Sequence, residues 1–89
     1  MAPIWDESKR RANLAKHGID FELVDAFEWG TARVDRDERR DYGEVRLIAM
    51  GFIRGRLHVL VFTRRRNEIR VIGLRKANRR EMQRYGEGK

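Results

Sequence analysis

The residues best suited to chemistry in this chain are its arginines. Seventeen of the 21 basic residues are Arg and four are Lys. A guanidinium is planar, forks onto two phosphate oxygens and stacks on bases, where an ammonium offers only a point charge. The charges are unevenly placed. Residues 1–44 hold 8 basic and 11 acidic residues, a net of −3, whereas residues 45–89 hold 13 and 3, a net of +10, so the whole excess of a +7 chain lies in its second half. A polyanion is the partner this implies, with nucleic acid first. A GC-rich genome also replaces Lys by Arg, so the ratio by itself does not decide. Arg64 and Arg75 lie just past the ends of neighbouring predicted strands and Arg79 one helical turn beyond Arg75. Three guanidiniums on one surface suit a phosphodiester better than a small neutral ligand.

Other chemistries are excluded by what is missing. The chain has no Cys, which removes disulfides, thiolate nucleophiles and Cys-ligated zinc, and its two isolated histidines leave little for a His-based site. Neither a metal nor a cofactor is expected. With 89 residues and 10.6 kDa the sequence reads as a single domain, 1–89, near the lower limit for a self-sufficient core. No basic and apolar leader precedes Trp5, and no run approaches 18 apolar residues, so a cytoplasmic protein without a membrane partner is expected.

The elements that must position these residues follow from caps and periodicity. Ile4-Trp5 reads as a short strand, and Asp6 caps a helix that ends after Lys16 and His17 at Gly18. Asp20 caps a second helix over residues 21–29, with Phe21, Leu23, Val24 and Phe27 on one face, which completes a helical hairpin. Residues 31–41 mix charges and read as an edge strand running into a loop. Residues 44–53, 56–63 and 68–74 are rich in Val, Ile, Leu and Phe and form an antiparallel meander. Residues 75–85 form a basic helix stopped by Gly86. The fold class is α+β: a small antiparallel sheet of four or five strands, the helical hairpin on one face, and a C-terminal helix.

Two-residue turns at Arg54-Gly55 and Arg66-Asn67 set Phe52 opposite Leu57 and Phe62 opposite Val71. Alternation then places Ile48, Met50, Phe52, Leu57, Val59, Val61, Ile72 and Leu74 on one bulky face, expected to receive the helices. Arg64, His58 and Arg75 share the other face, with His58 across from Arg75. A one-residue slip would part Arg64 from Arg75.

These residues resemble the BrnT toxins of type II toxin-antitoxin systems, within the RelE-like superfamily. The resemblance rests on Trp5-Asp6-Glu7, Asn13, Lys16-His17-Gly18-Ile19, Phe21, Phe27, Tyr42-Gly43-Glu44 and Arg46 in the first half. In the second half it rests on Gly51, Gly55-Arg56, Phe62-Thr63-Arg64, Arg70, Ile72, Arg75-Lys76-Ala77, Arg79-Arg80-Glu81 and Tyr85. It departs from the usual pattern at Gly73-Leu74, where Ser-Ala is more frequent, and at Arg65-Arg66-Asn67, where a Gly-containing turn is common. The resemblance implies a RelE-like toxin domain that cleaves RNA without a metal and arrests growth. It also implies a hetero-oligomer with a BrnA-like antitoxin carrying a ribbon-helix-helix domain.

Metal-free RNA cleavage needs a base for the 2′-hydroxyl proton, donors for the charge growing on phosphorus, and an acid for the leaving 5′-oxygen. Arginine does not deprotonate, so Arg64, Arg75 and Arg79 are assigned to phosphate binding and transition-state stabilisation, against a reading as solvated surface. His17, with an ordinary pKa of about 6.5, is a candidate base; with Lys16 it also simply answers a helix dipole. Glu44 is either a proton acceptor or a partner for Arg46 or Arg70. His58, between apolar residues, reads as structural. Tyr85 either stacks on a base or anchors the last helix. Lys76, Arg80 and Arg84 form a basic stripe at helical spacing that suits an RNA backbone or an acidic antitoxin segment. Lys16 and Arg70 complete the expected RNA-binding set.

Overall fold

In the computed structural model, which describes residues 2–87, Asp6 opens the first helix as the sequence demands. Its carboxylate accepts the Ser8 amide at 2.8 Å, and Gly18 closes the helix at φ 71°, donating its N–H to the Leu14 carbonyl at 2.8 Å. This helix, α1 (Glu7–His17), follows strand β1 (Ala2–Ile4) and buries no residue completely. It is tied down by Asn13, whose Nδ2 donates to the carbonyls of Ile19 at 3.0 Å and Leu74 at 2.7 Å and whose Oδ1 accepts the Leu74 amide at 3.2 Å. No helix among the described residues is long and apolar enough to cross a membrane.

Asp20 caps the second helical segment, but this is a 3₁₀ helix, Phe21–Ala26, rather than a helix reaching residue 29. The chain leaves it at Phe27, which is extended and bridges to Ile53, while the Glu28 amide bonds to the Phe52 carbonyl at 2.9 Å. The cause is Gly51: a Cβ there would lie 2.5 Å from the Phe27 ring, so the ring sits on the sheet where a side chain would stand. A second 3₁₀ turn, Trp29–Thr31, leads into strand β2 (Arg33–Arg36), the expected edge strand.

The meander comprises β3 (Leu47–Ile53), β4 (Arg56–Arg65) and β5 (Glu68–Lys76), followed by helix α2 (Arg79–Glu87). The five strands lie in the order β1-β5-β4-β3-β2. β1 runs parallel to β5, so the sheet is mixed where an antiparallel one was expected. Strand β5 continues through Arg75 and Lys76 because the helix begins only after Asn78. The Asn78 Oδ1 accepts the Glu81 amide at 2.8 Å and Glu81 Oε1 accepts the Asn78 amide at 2.9 Å, a reciprocal capping box. Lys76 therefore does not extend a helical stripe with Arg80 and Arg84.

Both hairpin turns match the expectation, with Phe52 opposite Leu57 and Phe62 opposite Val71, and with Arg54, Gly55 and Arg66 at positive φ. The pairing then shifts: Val61 faces Gly73, so Ile72 is an extra residue in β5. This bulge moves Leu74 and Arg75 to the opposite faces from those expected, sets Val59 across from Arg75, and sets Lys76 across from His58. The helices cover the face carrying Ala49, Ile53, Leu60, Phe62, Ile69, Val71 and Leu74, with Ile19, Phe21, Val24 and Phe27. The expectation that they cover the bulkier face is corrected, because the small residues Ala49 and Gly51 make room for Phe27. The bulkier face, with Leu57, Val59, Ile48, Met50 and Phe52, receives α2 through Ala77 and Tyr85.

Candidate active-site cleft

Helix α2 covers only part of its face and leaves a cleft of about 670 Å³ beside it. Ile48, Met50, Val59 and Val61 line it with apolar surface, and Arg33, Arg39, Arg75 and Arg84 supply guanidiniums, with Asp35, Glu81 and Glu87 among them. Arg75 is the fixed member. Its Nη1 and Nη2 donate to Glu81 Oε1 and Oε2, both at 2.8 Å, a forked pair on a carboxylate that is only 13% exposed. The Arg75 guanidinium holds the Glu81 carboxyl below its usual range, and Arg75 in turn feels the positive charge of Arg39. Arg33 reaches across from β2 to donate to the Arg84 carbonyl at 3.3 Å.

Arg39 comes from the β2–β3 loop. Its Nε and Nη2 donate to the two oxygens of Asp37, both at 2.7 Å, and Tyr42 donates its hydroxyl to the same carboxylate at 3.0 Å. The Asp37 side chain is fully buried, and the bonds from Arg39 hold its carboxyl far below the ordinary 3.8.

The expected site residues divide. His17, exposed at the end of α1, is pushed below the ordinary 6.5 by partial burial and then by the positive charges of Lys16 and Arg75, so its imidazole is neutral at pH 7. Glu44 and Arg70 share a small hollow of about 80 Å³ with Thr63, which lies on the cleft's face of the sheet. Arg79 and Arg80 are exposed in the first turn of α2. Lys76 ends β5. Arg64 is not gathered with Arg75: the bulge leaves it opposite Ile69 on the helix-covered face, at a separate groove with Trp29, Phe62 and Asp25. Tyr85 is buried, donates its hydroxyl to the Thr31 carbonyl at 2.5 Å and packs edge-on against Phe52, which is the anchoring role. His58 is buried with Nδ1 at 2.7 Å from the Arg56 carbonyl, an acceptor, so Nδ1 carries the proton.

Sequence reasoning missed Arg33, Arg39, Arg84 and Glu81 as parts of one cleft. Glu81 had a signal, since Asn78 and Glu81 stand at capping-box spacing. Arg39 had none, because it sits in an aperiodic stretch of mixed charge. The family model for the ribonuclease toxin BrnT of type II toxin-antitoxin systems matches residues 5–81. No curated protein matches the chain. The matched span holds Arg33, Arg39, Arg75 and Glu81, and by this match the chain belongs to the BrnT family of ribonuclease toxins, whose substrate is RNA and whose partner is a protein antitoxin.

Proposed function

We propose that this protein is a RelE-like endoribonuclease, one domain over residues 1–89, that cuts RNA in the cytoplasm with its own side chains and no metal. The observation that carries this reading is Arg75, held by both nitrogens on Glu81 at the edge of an arginine-lined cleft. A phosphodiester drawn there by Arg33, Arg39 and Arg84 meets a guanidinium already oriented, so its growing negative charge is stabilised without reorganisation. His17, at the end of α1 and outside the cleft's lining but within the field of Arg75, is the proposed base for the 2′-hydroxyl proton of a strand that reaches it. The 2′-oxygen bonds to phosphorus as the bond to the 5′-oxygen breaks and that oxygen takes a proton from solvent, giving a 2′,3′-cyclic phosphate and a 5′-hydroxyl. Arg79, in the first turn of α2, adds a second donor, Glu44 stands as the alternative proton acceptor, and Lys16, Arg70, Lys76 and Arg80 bind the flanking backbone.

The antitoxin in this reading is a BrnA-like ribbon-helix-helix protein that forms a hetero-oligomer with the toxin. Induced expression in bacteria tests the whole proposal. The chain alone should arrest growth and fragment cellular RNA, and co-expression of the neighbouring antitoxin frame should relieve both. Normal growth with intact RNA, in cells containing the folded protein, refutes it.

A further inference from the structure

The β2–β3 loop carries a second cluster that shares only Arg39 with the cleft. Asp37 is its post: besides Arg39 and Tyr42, its carboxylate accepts the Arg39 amide at 3.2 Å, and its own amide donates to the Arg46 carbonyl at 2.8 Å, which closes the loop. On this post the Tyr42 ring is stacked by the Arg46 guanidinium, 4.0 Å from the centroid, with the Arg40 guanidinium at 5.8 Å. Arg39, Arg40, Tyr42 and Arg46 enclose a hollow of about 400 Å³. Neither Arg40 nor Arg46 has an acidic partner among the described residues, and Arg46 Nε is buried without an acceptor. A partly desolvated guanidinium with unmet hydrogen-bonding capacity attracts an oxyanion more strongly than a hydrated one.

The loop's other acidic residues lie in an adjoining hollow. Glu38, Asp41 and Glu44 line it, and it shares Arg40, Tyr42 and Arg46 with the cationic one; among the described residues none of the three makes an ion pair with these arginines, and Asp41 accepts the Gly43 amide at 2.9 Å. Arg39 lines both the cationic hollow and the cleft. We propose that the Arg39-Arg40-Arg46 hollow is a phosphate subsite that takes an RNA phosphodiester flanking the one in the cleft. This inference rests on the cleft being where RNA is cut. Continuity through Arg39 favours a nucleic-acid backbone over an acidic protein segment, because a strand that crosses β4 and β3 in the cleft meets Arg39, which lines the second hollow as well.

The test measures binding of a mixed-sequence single-stranded 2′-O-methyl RNA, which lacks the attacking hydroxyl and stays intact, over a range of salt concentrations. Arg40→Ala with Arg46→Gln should weaken binding about tenfold and lower the slope of log affinity against log salt by about one, with unchanged circular dichroism. In cleavage assays of ordinary RNA, KM should rise more than kcat falls. Arg40→Ala alone, at an exposed residue, decides the matter if the double variant does not fold. Unchanged affinity and slope in the folded variant, while Arg75→Ala still loses cleavage, overturns the subsite and leaves the cleft reading standing. A wild-type protein that binds no RNA overturns both. Intact RNA binding with lost affinity for the antitoxin also overturns the proposal, by making this surface a protein-docking site.

Discussion

Replacing Arg75 by alanine separates what the guanidinium does for the reaction from what it does for the fold. Removing one oriented donor from a developing oxyanion costs about 3–4 kcal/mol of transition-state stabilisation, a fall in kcat of about 10²–10³. The structural cost is smaller. The forked pair with Glu81 is lost, but Arg75 is 36% exposed, which limits the pair to about 1 kcal/mol. Glu81 keeps its bonds to Asn78, so the helix cap survives. For a domain of this size that loss lowers Tm by about 4–8 °C and leaves the protein folded at 25 °C. Arg75→Lys keeps a charge but not the fork, and should recover stability more than rate. Initial rates on a fluorescent RNA reporter at saturation, beside thermal melts, read the two effects separately. Full cleavage by folded Arg75→Ala, or full rescue by lysine, refutes the argument from the fork. Acid supplies a further check. Arg75 holds the Glu81 carboxyl below its ordinary 4.5, so the pair's contribution is present above that value and is lost as pH falls through the lowered one. The Tm gap between wild type and Arg75→Ala should close as pH drops below 4.5.

Three further outcomes follow from the same geometry. His17→Gln should reduce kcat by about 10²–10⁴ and flatten the pH profile. In the wild type, kcat/KM should rise with pH through a value below 6.5, since the base works deprotonated and its pKa is lowered; a rise centred above 6.5 would exclude His17. Gly51→Ala should cost about 1–3 kcal/mol in denaturant unfolding, because the buried Phe27 ring must move from 2.5 Å, and an unchanged midpoint would contradict that contact. Asp37→Asn should destabilise the protein by about 1–3 kcal/mol at pH 7. The carboxyl's lowered pKa places that contribution above its ordinary 3.8, so the deficit should shrink as acid protonates the wild-type group, and a deficit independent of pH would argue against the ion pair with Arg39.

Much of this architecture was legible in the sequence because short-range rules wrote it. Asp6 and Gly18 bound α1, Asp20 caps the next segment, and the two-residue turns fix the hairpin registers. What failed was governed by long-range packing. An extra residue at Ile72 has no local signature beyond the adjacent Gly73, yet it exchanges the faces of Leu74 and Arg75 and so parts Arg75 from Arg64. Bulk was also a poor guide to which face takes the helices. Phe27 needs the absence of a side chain at Gly51, and close approach of two layers selects small residues as readily as large ones. The cleft suffered most, since Arg33 and Arg39 reach Arg75 only through the fold, and nothing in the 31–41 stretch marks them.

Glu81 has a consequence for how this protein loses function. One carboxylate both starts α2 and holds Arg75, so fraying of the last helix and release of the Arg75 guanidinium are a single equilibrium. Activity should therefore report on helix docking. A substitution at Tyr85, which fastens α2 to Thr31, would weaken catalysis with a temperature dependence set by local unfolding, well below the global melt.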